Sequence, residues 1–264
     1  MKKLAKLFMK QNETSTEPEI MEQNSVIPDN IPAKAETQQS GNNRIMLLYQ
    51  KYGHALPLLI YMAIYLLWFA WLEKTNTKNY QVIHVAADDY IPFCEIFVIP
   101  YFLWFAYVAA VVIFLFFKNK QDYYKACIFL CTGMTIFLVI STLFPNGHHL
   151  RLAEMPRDNI FTQMVAVLWK TDTPTNLWPS IHVFNSMGAH FAIIRSREFE
   201  SRKGIKIASF LLASSIILST MFIKQHSVFD VLTGIAMGAV MYVLVYRRNW
   251  VLAAKTQRDK ALSQ

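Results

Sequence analysis

The sequence has few of the residues that build disulfide scaffolds and nucleotide-binding loops. It contains 3 cysteines and 8 glycines in 264 residues. Three thiols give no disulfide framework, and Cys127 and Cys131 lie one helical turn apart in an apolar stretch, where packing is the expected role. The sequence shows no internal repeat, glycine-rich phosphate loop or cysteine cluster. These absences exclude disulfide-stabilised domains, P-loop enzymes and repeat proteins.

Charged residues are also scarce, at 17% of the chain, whereas 54% is hydrophobic. The apolar residues form long blocks, and a bilayer core of about 30 Å requires about 20 such residues per helix. Five blocks meet this requirement, and a sixth is shorter and more polar. The sequence therefore predicts an all-α, polytopic membrane protein. Its six transmembrane helices are expected at 55–72, 97–117, 126–144, 180–194, 205–223 and 228–246.

The net charge is +8, and the basic residues are distributed along the chain as in a membrane protein. If both termini are cytoplasmic, 20 of the 26 lysines and arginines lie in inner segments. This bias predicts a multi-pass protein of the cell membrane with both termini in the cytoplasm. It also argues against nucleic acid as a partner. Termini on one side require an even number of spans, which favours six over five.

The chain divides into three regions by composition. Residues 1–43 are basic and polar and cannot bury enough apolar surface to fold, so we expect a disordered cytoplasmic tail. Residues 44–250 form the predicted six-helix membrane domain, and 251–264 a cytoplasmic C-terminal tail. The longest outer loop, 145–179, contains a predicted interfacial helix at 160–170. The aromatic run at 101–107 is expected to face lipid or the membrane interface.

Ionisable residues cluster at the outer ends of the last spans. His226 and Asp230 are four residues apart and share a helix face. An aspartate one turn inside a span is costly unless it is paired, so Asp230 is expected to orient His226 and leave one ring nitrogen free as a nucleophile. His182 follows Pro179 and Ser180 at the start of a span. Free amides at a helix start suit phosphate oxygens, and a histidine there can donate a proton.

These residues carry a resemblance to the type 2 phosphatidic acid phosphatase (PAP2) superfamily of six-helix membrane enzymes. The stretch Pro179-Ser180-Ile181-His182 resembles its Pro-Ser-Gly-His motif. Ser219-Thr220, five residues, His226, three residues and Asp230 have the spacing of its Ser-Arg-x5-His-x3-Asp motif. Leu150-Arg151-Leu152 resembles the end of its Lys-x6-Arg-Pro motif. The similarity covers about residues 55–246, and it looks closest to the branch that includes inositol phosphorylceramide synthases.

Four positions depart from the family motifs. Phe144 stands where the first motif has Lys, and Leu152 where it has Pro. Ile181 replaces the Gly of the second motif, and Thr220 replaces the Arg of the third. Two phosphate-binding cations are thus missing, and Lys224 is the candidate replacement for one of them.

The resemblance implies a lipid phosphate phosphatase or phosphotransferase at the extracytoplasmic membrane face, acting on a lipid phosphate or pyrophosphate without a metal or other cofactor. His226 would attack phosphorus and become a phosphohistidine, Asp230 would orient it, and His182 would protonate the leaving alcohol. Water as the second substrate gives hydrolysis, and an alcohol gives transfer. The candidates for binding phosphate are Arg151, Lys224 and Ser180, and further possible site residues are Asn176, Ser219 and His149.

Other functions stay open at this point. The chain could be an inositol or other alcohol phosphotransferase of the phosphorylceramide synthase type, or a catalytically inactive membrane scaffold. It could also be a transporter with His182, His190 and Asp230 as a proton relay, although its polar residues gather at one face of the membrane. A metal site that includes His148 and His149 matches no known ligand spacing.

Overall fold

The computed structural model describes residues 46, 47 and 49–247 of the chain. The predicted tails at 1–43 and 251–264 lie outside the described residues. The helix bundle belongs to a compact unit that begins at Tyr52.

Seven α-helices make up most of the described part of this unit. They are α1 (Leu56–Thr75), α2 (Val98–Lys118), α3 (Lys120–Leu143), α4 (Ile160–Thr171), α5 (Ile181–Arg195), α6 (Lys203–Phe222) and α7 (Val228–Tyr242). Short 3-10 helices lie at Gly53–Ala55, Ala86–Tyr90, Glu95–Phe97 and Arg197–Phe199, and a π-helical turn at Val243–Arg247 extends α7. Two strands, β1 (Gln81–Val82) and β2 (Asn146–Gly147), pair in parallel.

Five of the helices, α1, α2, α3, α6 and α7, are long and apolar enough to cross a membrane. The prediction of an all-α polytopic membrane protein is therefore confirmed. The predicted sixth span corresponds to α5, which has 15 residues. At 1.5 Å per residue it is about 22 Å long, shorter than a bilayer core. The sixth crossing stays a prediction.

Helix α5 lies among four neighbours, and its polarity follows from that position. It packs against α2, α3, α6 and α7. Its residues Asn185 and Ser186 are buried by protein, so they need not be apolar as lipid-facing residues must be. Phe184 of α5 fills the space that a side chain at Gly133 of α3 would need. The weak hydropathy of this segment thus reflects burial inside the bundle.

The structure corrects the expectation for the aromatic run on α2. Tyr101, Trp104 and Tyr107 are 2%, 8% and 8% exposed, whereas Phe102 and Phe105 are 39% and 62% exposed. The three buried rings recur every three residues, which places them on one face of the helix. That face packs on the bundle interior, so the prediction that the whole run faces lipid or the interface is wrong for these three residues.

The predicted short helix in the long loop is present as α4, and it packs on one end of the bundle. Asn159 caps its first turn by accepting from the amides of Phe161 and Thr162. Val165 is fully buried in a cluster with Val98 and Tyr101 of α2 and with Ile223, which directly follows α6. The loop is therefore an ordered cover over the bundle end where α1, α3 and α6 finish and α2, α5 and α7 begin.

Candidate active site

The second and third motifs meet because α5 and α7 begin side by side. The amide of Ser180, just before α5, donates to the carbonyl oxygen of Asp230 in the first turn of α7 at 3.2 Å. Gly234, one turn further along α7, allows this approach, since a Cβ there would lie 3.0 Å from the Ser180 carbonyl oxygen. Histidines at both helix starts are thereby brought together.

His226, His182 and Asp230 form a connected chain of side chains. Nε2 of His226 lies 3.2 Å from Nδ1 of His182, and Nδ1 of His226 lies 3.4 Å from Oδ2 of Asp230. The latter contact is longer than a good hydrogen bond, and its direction does not meet the geometry of one. It still places the carboxylate beside Nδ1, which favours the proton there and leaves the lone pair on Nε2.

Two carboxylates hold the start of α7 directly after His226. Asp230 accepts from the amide of Ser227 at 3.0 Å. Asp88, from the 3-10 helix Ala86–Tyr90, accepts from the Ser227 hydroxyl and from the amide of Val228, each at 2.7 Å. Negative charge at a helix N-terminus is favourable because the amides there have no partners within the helix. These bonds position the backbone that carries His226.

His182 is packed against two aromatic rings of α2. Its ring centroid lies 4.8 Å from that of Tyr101 and 4.3 Å from that of Trp104. Both aromatic residues are buried. The imidazole is therefore held in one orientation by packing as well as by its contact with His226.

The loop that precedes Ser180 is shaped by Asn146 of β2. Its Oδ1 accepts from the amides of Leu177 and Trp178, and its carbonyl oxygen accepts from the amide of Asn176. Asn146 is fully buried, so these bonds lie away from solvent. They guide the chain into the start of α5.

His148 also has a structural role, because both of its ring nitrogens form hydrogen bonds. Nε2 donates to the carbonyl oxygen of Gln225 at 3.0 Å, and Nδ1 accepts from the amide of Leu150 at 3.1 Å. Burial lowers the pKa of His148 to about 4, and a second ring proton would also break the bond from Leu150. The neutral imidazole is therefore the form that fits.

A small cavity of about 30 Å³ lies beside the two motif histidines. It has room for one or two water molecules, so lining side chains must shift to admit a phosphoryl group. Burial, and next the negative charge of Glu73, raise the pKa of Asp172 to about 6. The polar residues that line the cavity are Asp172, Thr175, Asn176, His182, Gln225 and His226.

The two predicted phosphate-binding cations lie behind the cavity wall. Arg151 donates to the carbonyl oxygens of Trp169, Asp172 and Thr173 and to Oε1 of Gln225. Burial lowers its pKa, but an arginine stays charged. These bonds fasten the end of α4 and the following loop to the Gln225 side chain.

Lys224 follows α6 with a φ of 56°. Its Nζ donates to the carbonyl oxygens of Ile91 and Asp88, at 2.6 and 3.3 Å, and burial lowers its pKa. Neither Lys224 nor Arg151 is among the residues that line the cavity.

The other predicted residues are distributed around the site. Ser180 is fully buried and caps α5, its Oγ accepting from the amide of Val183. Asn176 lines the cavity and donates to Glu73 Oε1. Ser219 donates to the carbonyl oxygen of Ile216 inside α6. His149 is exposed beside the ring of Tyr80.

Three residues of the site were not among the predicted candidates. Asp172 lies four residues before the predicted site residue Asn176, and Gln225 directly precedes His226, so both lay near residues that the sequence identified. Asp88 lies in a different outer loop. Only its acidic character in a segment next to a span could have drawn attention to it, because its contact with α7 is tertiary.

One comparison with known proteins gives a match. The family model of the PAP2 superfamily matches residues 156–253. The matched region includes the motif residues of α5, α6 and α7 and begins after Arg151. It supports the superfamily and an activity of the phosphatase or phosphotransferase type on a phosphorylated lipid in the membrane. No curated protein and no solved structure matches the chain.

Proposed function

We propose that the protein is a membrane-embedded lipid phosphatase or phosphotransferase that works through a phosphohistidine at His226. The observation that carries the proposal is the chain of contacts from Asp230 through His226 to His182, with a cavity beside both histidines. A nucleophile, a group that orients it and a proton donor are the parts that such a reaction needs.

In the first step, Nε2 of His226 attacks phosphorus, and the bond from phosphorus to the leaving alcohol oxygen breaks. His182 enters this step as an imidazolium, gives one ring proton to that oxygen and becomes the neutral imidazole. In the second step, water or an acceptor alcohol attacks the phosphohistidine, and the phosphorus–nitrogen bond breaks. The attacking oxygen returns its proton to His182, so the enzyme is regenerated.

The start of α5 supports the binding of the phosphoryl group. Ile181 and His182, the first two residues of the helix, both line the cavity. Amides at a helix N-terminus lack partners within the helix and favour anionic oxygens. Ser180 holds this turn as its cap. In the structure Ser180, Arg151 and Lys224 help to hold the wall around the site. Their predicted role, direct binding of the phosphate, stays a prediction.

A second cavity supports the assignment of a lipid as substrate. It measures about 290 Å³, and α1, α2, α3 and α5 contribute mainly apolar side chains to its walls. Leu66 and Phe105 line it and are 57% and 62% exposed, so it borders the outer surface of the bundle. Ile181 lines this cavity and the one at His226. A lipid tail held here would place its phosphate next to the histidines.

The proposal is tested by the turnover of short-chain lipid phosphates and pyrophosphates by purified protein. His226→Ala is expected to lower the rate about a thousandfold or more, while His84→Ala, at an exposed histidine, is expected to leave it unchanged. Radiolabelled phosphate should remain on the wild-type protein after a denaturing quench, in an acid-labile and alkali-stable linkage. Turnover that survives His226→Ala, or that EDTA abolishes, would contradict the proposal.

A further inference from the structure

The side chain of Asp172 carries an unused hydrogen-bond acceptor at the cavity beside the nucleophile. Asp172 directly follows α4 and lines the cavity together with His182 and His226. Its main-chain oxygen accepts from Nη1 of Arg151 at 2.8 Å. Among residues 53–247, none donates a hydrogen bond to its carboxyl oxygens. A ligand in the cavity can therefore use this carboxyl group as an acceptor.

Gln225 offers a hydrogen-bond donor at the same cavity. It is 1% exposed, and its Oε1 accepts from Nη2 of Arg151 at 2.7 Å. Because arginine can only donate, this contact determines which end of the amide is oxygen. The other end, Nε2, is buried and has no hydrogen-bond partner in the part of the chain that the structure describes. The cavity is thus lined by one acceptor and one donor that are both unused.

Arg151 holds both groups in place from behind the cavity wall. Its guanidinium group bonds to the main chain of Asp172 and to the side chain of Gln225, and its Nε is buried without a partner among the described residues. Burial and the charge of Glu73 raise the pKa of Asp172 to about 6, and the positive charge of Arg151 limits this rise. The carboxyl group is therefore mostly ionised at neutral pH.

The other polar residues of the cavity wall, apart from the two histidines, already have partners. Thr175 and Asn176 share hydrogen bonds with Thr173, Asn76 and Glu73. The cavity of about 30 Å³ has the size of a water site, and a buried water binds about two to four polar partners. The unused donor and acceptor, together with His182, supply three.

We propose that Asp172 and Gln225 bind the water molecule that attacks the phosphohistidine, and that this water subsite makes the protein a phosphatase rather than a transferase. This inference rests on the proposed function. The Gln225 amide donates to the water oxygen, the Asp172 carboxylate accepts one water hydrogen, and neutral His182 accepts the other. An alcohol has one O–H group. With that group directed at His182, its carbon substituent would face Asp172 and leave the carboxylate without this hydrogen bond.

The hydrolytic step balances with these groups. The water oxygen bonds to phosphorus as the bond from phosphorus to Nε2 of His226 breaks. One water proton moves to His182, which becomes an imidazolium again. The other proton stays on the new phosphate oxygen, in a hydrogen bond to Asp172. Asp172 thus orients and polarises the water without taking its proton.

The test measures how the phosphohistidine divides between water and methanol. The substrate is a radiolabelled short-chain lipid phosphate or pyrophosphate, so hydrolysis gives inorganic phosphate and transfer gives methyl phosphate. A hydrogen bond to a charged group contributes about 1.5–3 kcal/mol. The wild-type ratio of transfer to hydrolysis should therefore be about tenfold or more below the molar ratio of methanol to water.

Asp172→Ala removes the acceptor and opens room for the methyl group. In rapid-quench experiments the phosphohistidine should form at an undiminished rate, its hydrolysis should slow about ten- to a hundredfold, and the transfer ratio should rise by a similar factor. Asp158→Ala, at an exposed aspartate that precedes α4, is the matched control and should follow wild type.

The wild-type ratio needs no variant, so it decides the matter if Asp172→Ala does not fold. A wild-type transfer ratio at or above the molar ratio of methanol to water would overturn this inference. Unchanged hydrolysis and an unchanged transfer ratio in folded Asp172→Ala would do the same, and both results leave the proposed function intact. Failure of wild type to form a phosphohistidine would overturn both.

Discussion

The hydroxyl of Ser227 donates a 2.7 Å hydrogen bond to Oδ2 of Asp88, a residue 139 positions earlier in the chain. The same carboxylate accepts from the amide of Val228. A loop between α1 and α2 thus caps the helix that follows the proposed nucleophile, and the position of His226 depends on an element distant from it in sequence.

Asp88→Ala should therefore weaken both stability and activity. Loss of a buried cap with two hydrogen bonds costs about 1–3 kcal/mol, and the freed first turn of α7 would let His226 move away from His182. The measurements are the thermal midpoint and kcat in the same preparation. Asp89→Ala is the control, because Asp89 is exposed and contacts only the exposed His84 among the described residues. Equal effects of the two substitutions would show that the cap does not position the site.

His182→Ala should have an effect that depends on the leaving group. A general acid contributes about 10²–10⁴ in rate when the departing oxygen is basic, and little when it is not. The variant should therefore lose much more activity on a lipid ester than on an activated aryl ester. A plot of log kcat against the leaving-group pKa should be steeper for the variant than for wild type. Parallel plots would assign the proton to another residue.

Acidification should destabilise the protein through His148. Its pKa in the folded protein is about 4, below the unfolded value of about 6.5, so the folded state binds the proton less tightly. The stabilising contribution of neutral His148 is complete above pH 6.5 and is lost as pH falls from 6.5 towards 4. Over that range it amounts to about 3 kcal/mol.

The check is the thermal midpoint between pH 7 and 4.5. His148→Gln should lower the midpoint at pH 7 but flatten its decline with acidification, whereas His149→Gln, at the exposed neighbour, should follow wild type. A His148→Gln curve parallel to wild type would contradict the assignment.

Asp172 acts in the opposite direction, because its raised pKa of about 6 makes the folded state lose stability as pH rises from about 4 to 6. Asp172→Asn should therefore steepen the decline of the thermal midpoint with acidification.

Reporter fusions should locate both termini of the chain in the cytoplasm. That result requires α5 to cross the membrane together with α1, α2, α3, α6 and α7. A reporter after residue 200 should then read cytoplasmic, and one in the loop 145–179 should read extracytoplasmic. Termini on opposite sides would mean five crossings and would place α5 as a re-entrant helix.

Much of the fold was predictable because lipid requires apolar segments of defined length. The long helices were expected within a few residues of where they lie, and the loop helix α4 was expected as well. The role of Tyr101 and Trp104 was not, because hydropathy cannot distinguish a ring that faces lipid from one that packs on His182. The same limit applied to α5, whose polar residues are buried by other helices.

In the site, helical spacing predicted that His226 and Asp230 would be neighbours on one helix face. The structure has them in contact, but His226 lies in the turn before α7, which begins at Val228, so they do not share a helix. The sequence could not predict which donors of Arg151 are used, because three of its acceptors are backbone carbonyl oxygens, which any sequence provides, and the fourth is the side chain of the distant Gln225. Gln225 escaped notice for a related reason. A glutamine becomes a candidate donor only when the partner of its oxygen is known.

The ordered cover formed by the 145–179 loop also determines where the protein can accept added sequence. The loop is held at β1 and β2, at the contact of Arg157 with Glu95, and at the Trp169 indole, which donates to the carbonyl oxygen of Ile223. Between these anchors, residues 152–154 are exposed. An epitope inserted there would extend away from the surface without displacing the bonds that hold the loop, and it would label living cells only if the loop is extracytoplasmic, as the charge bias predicts.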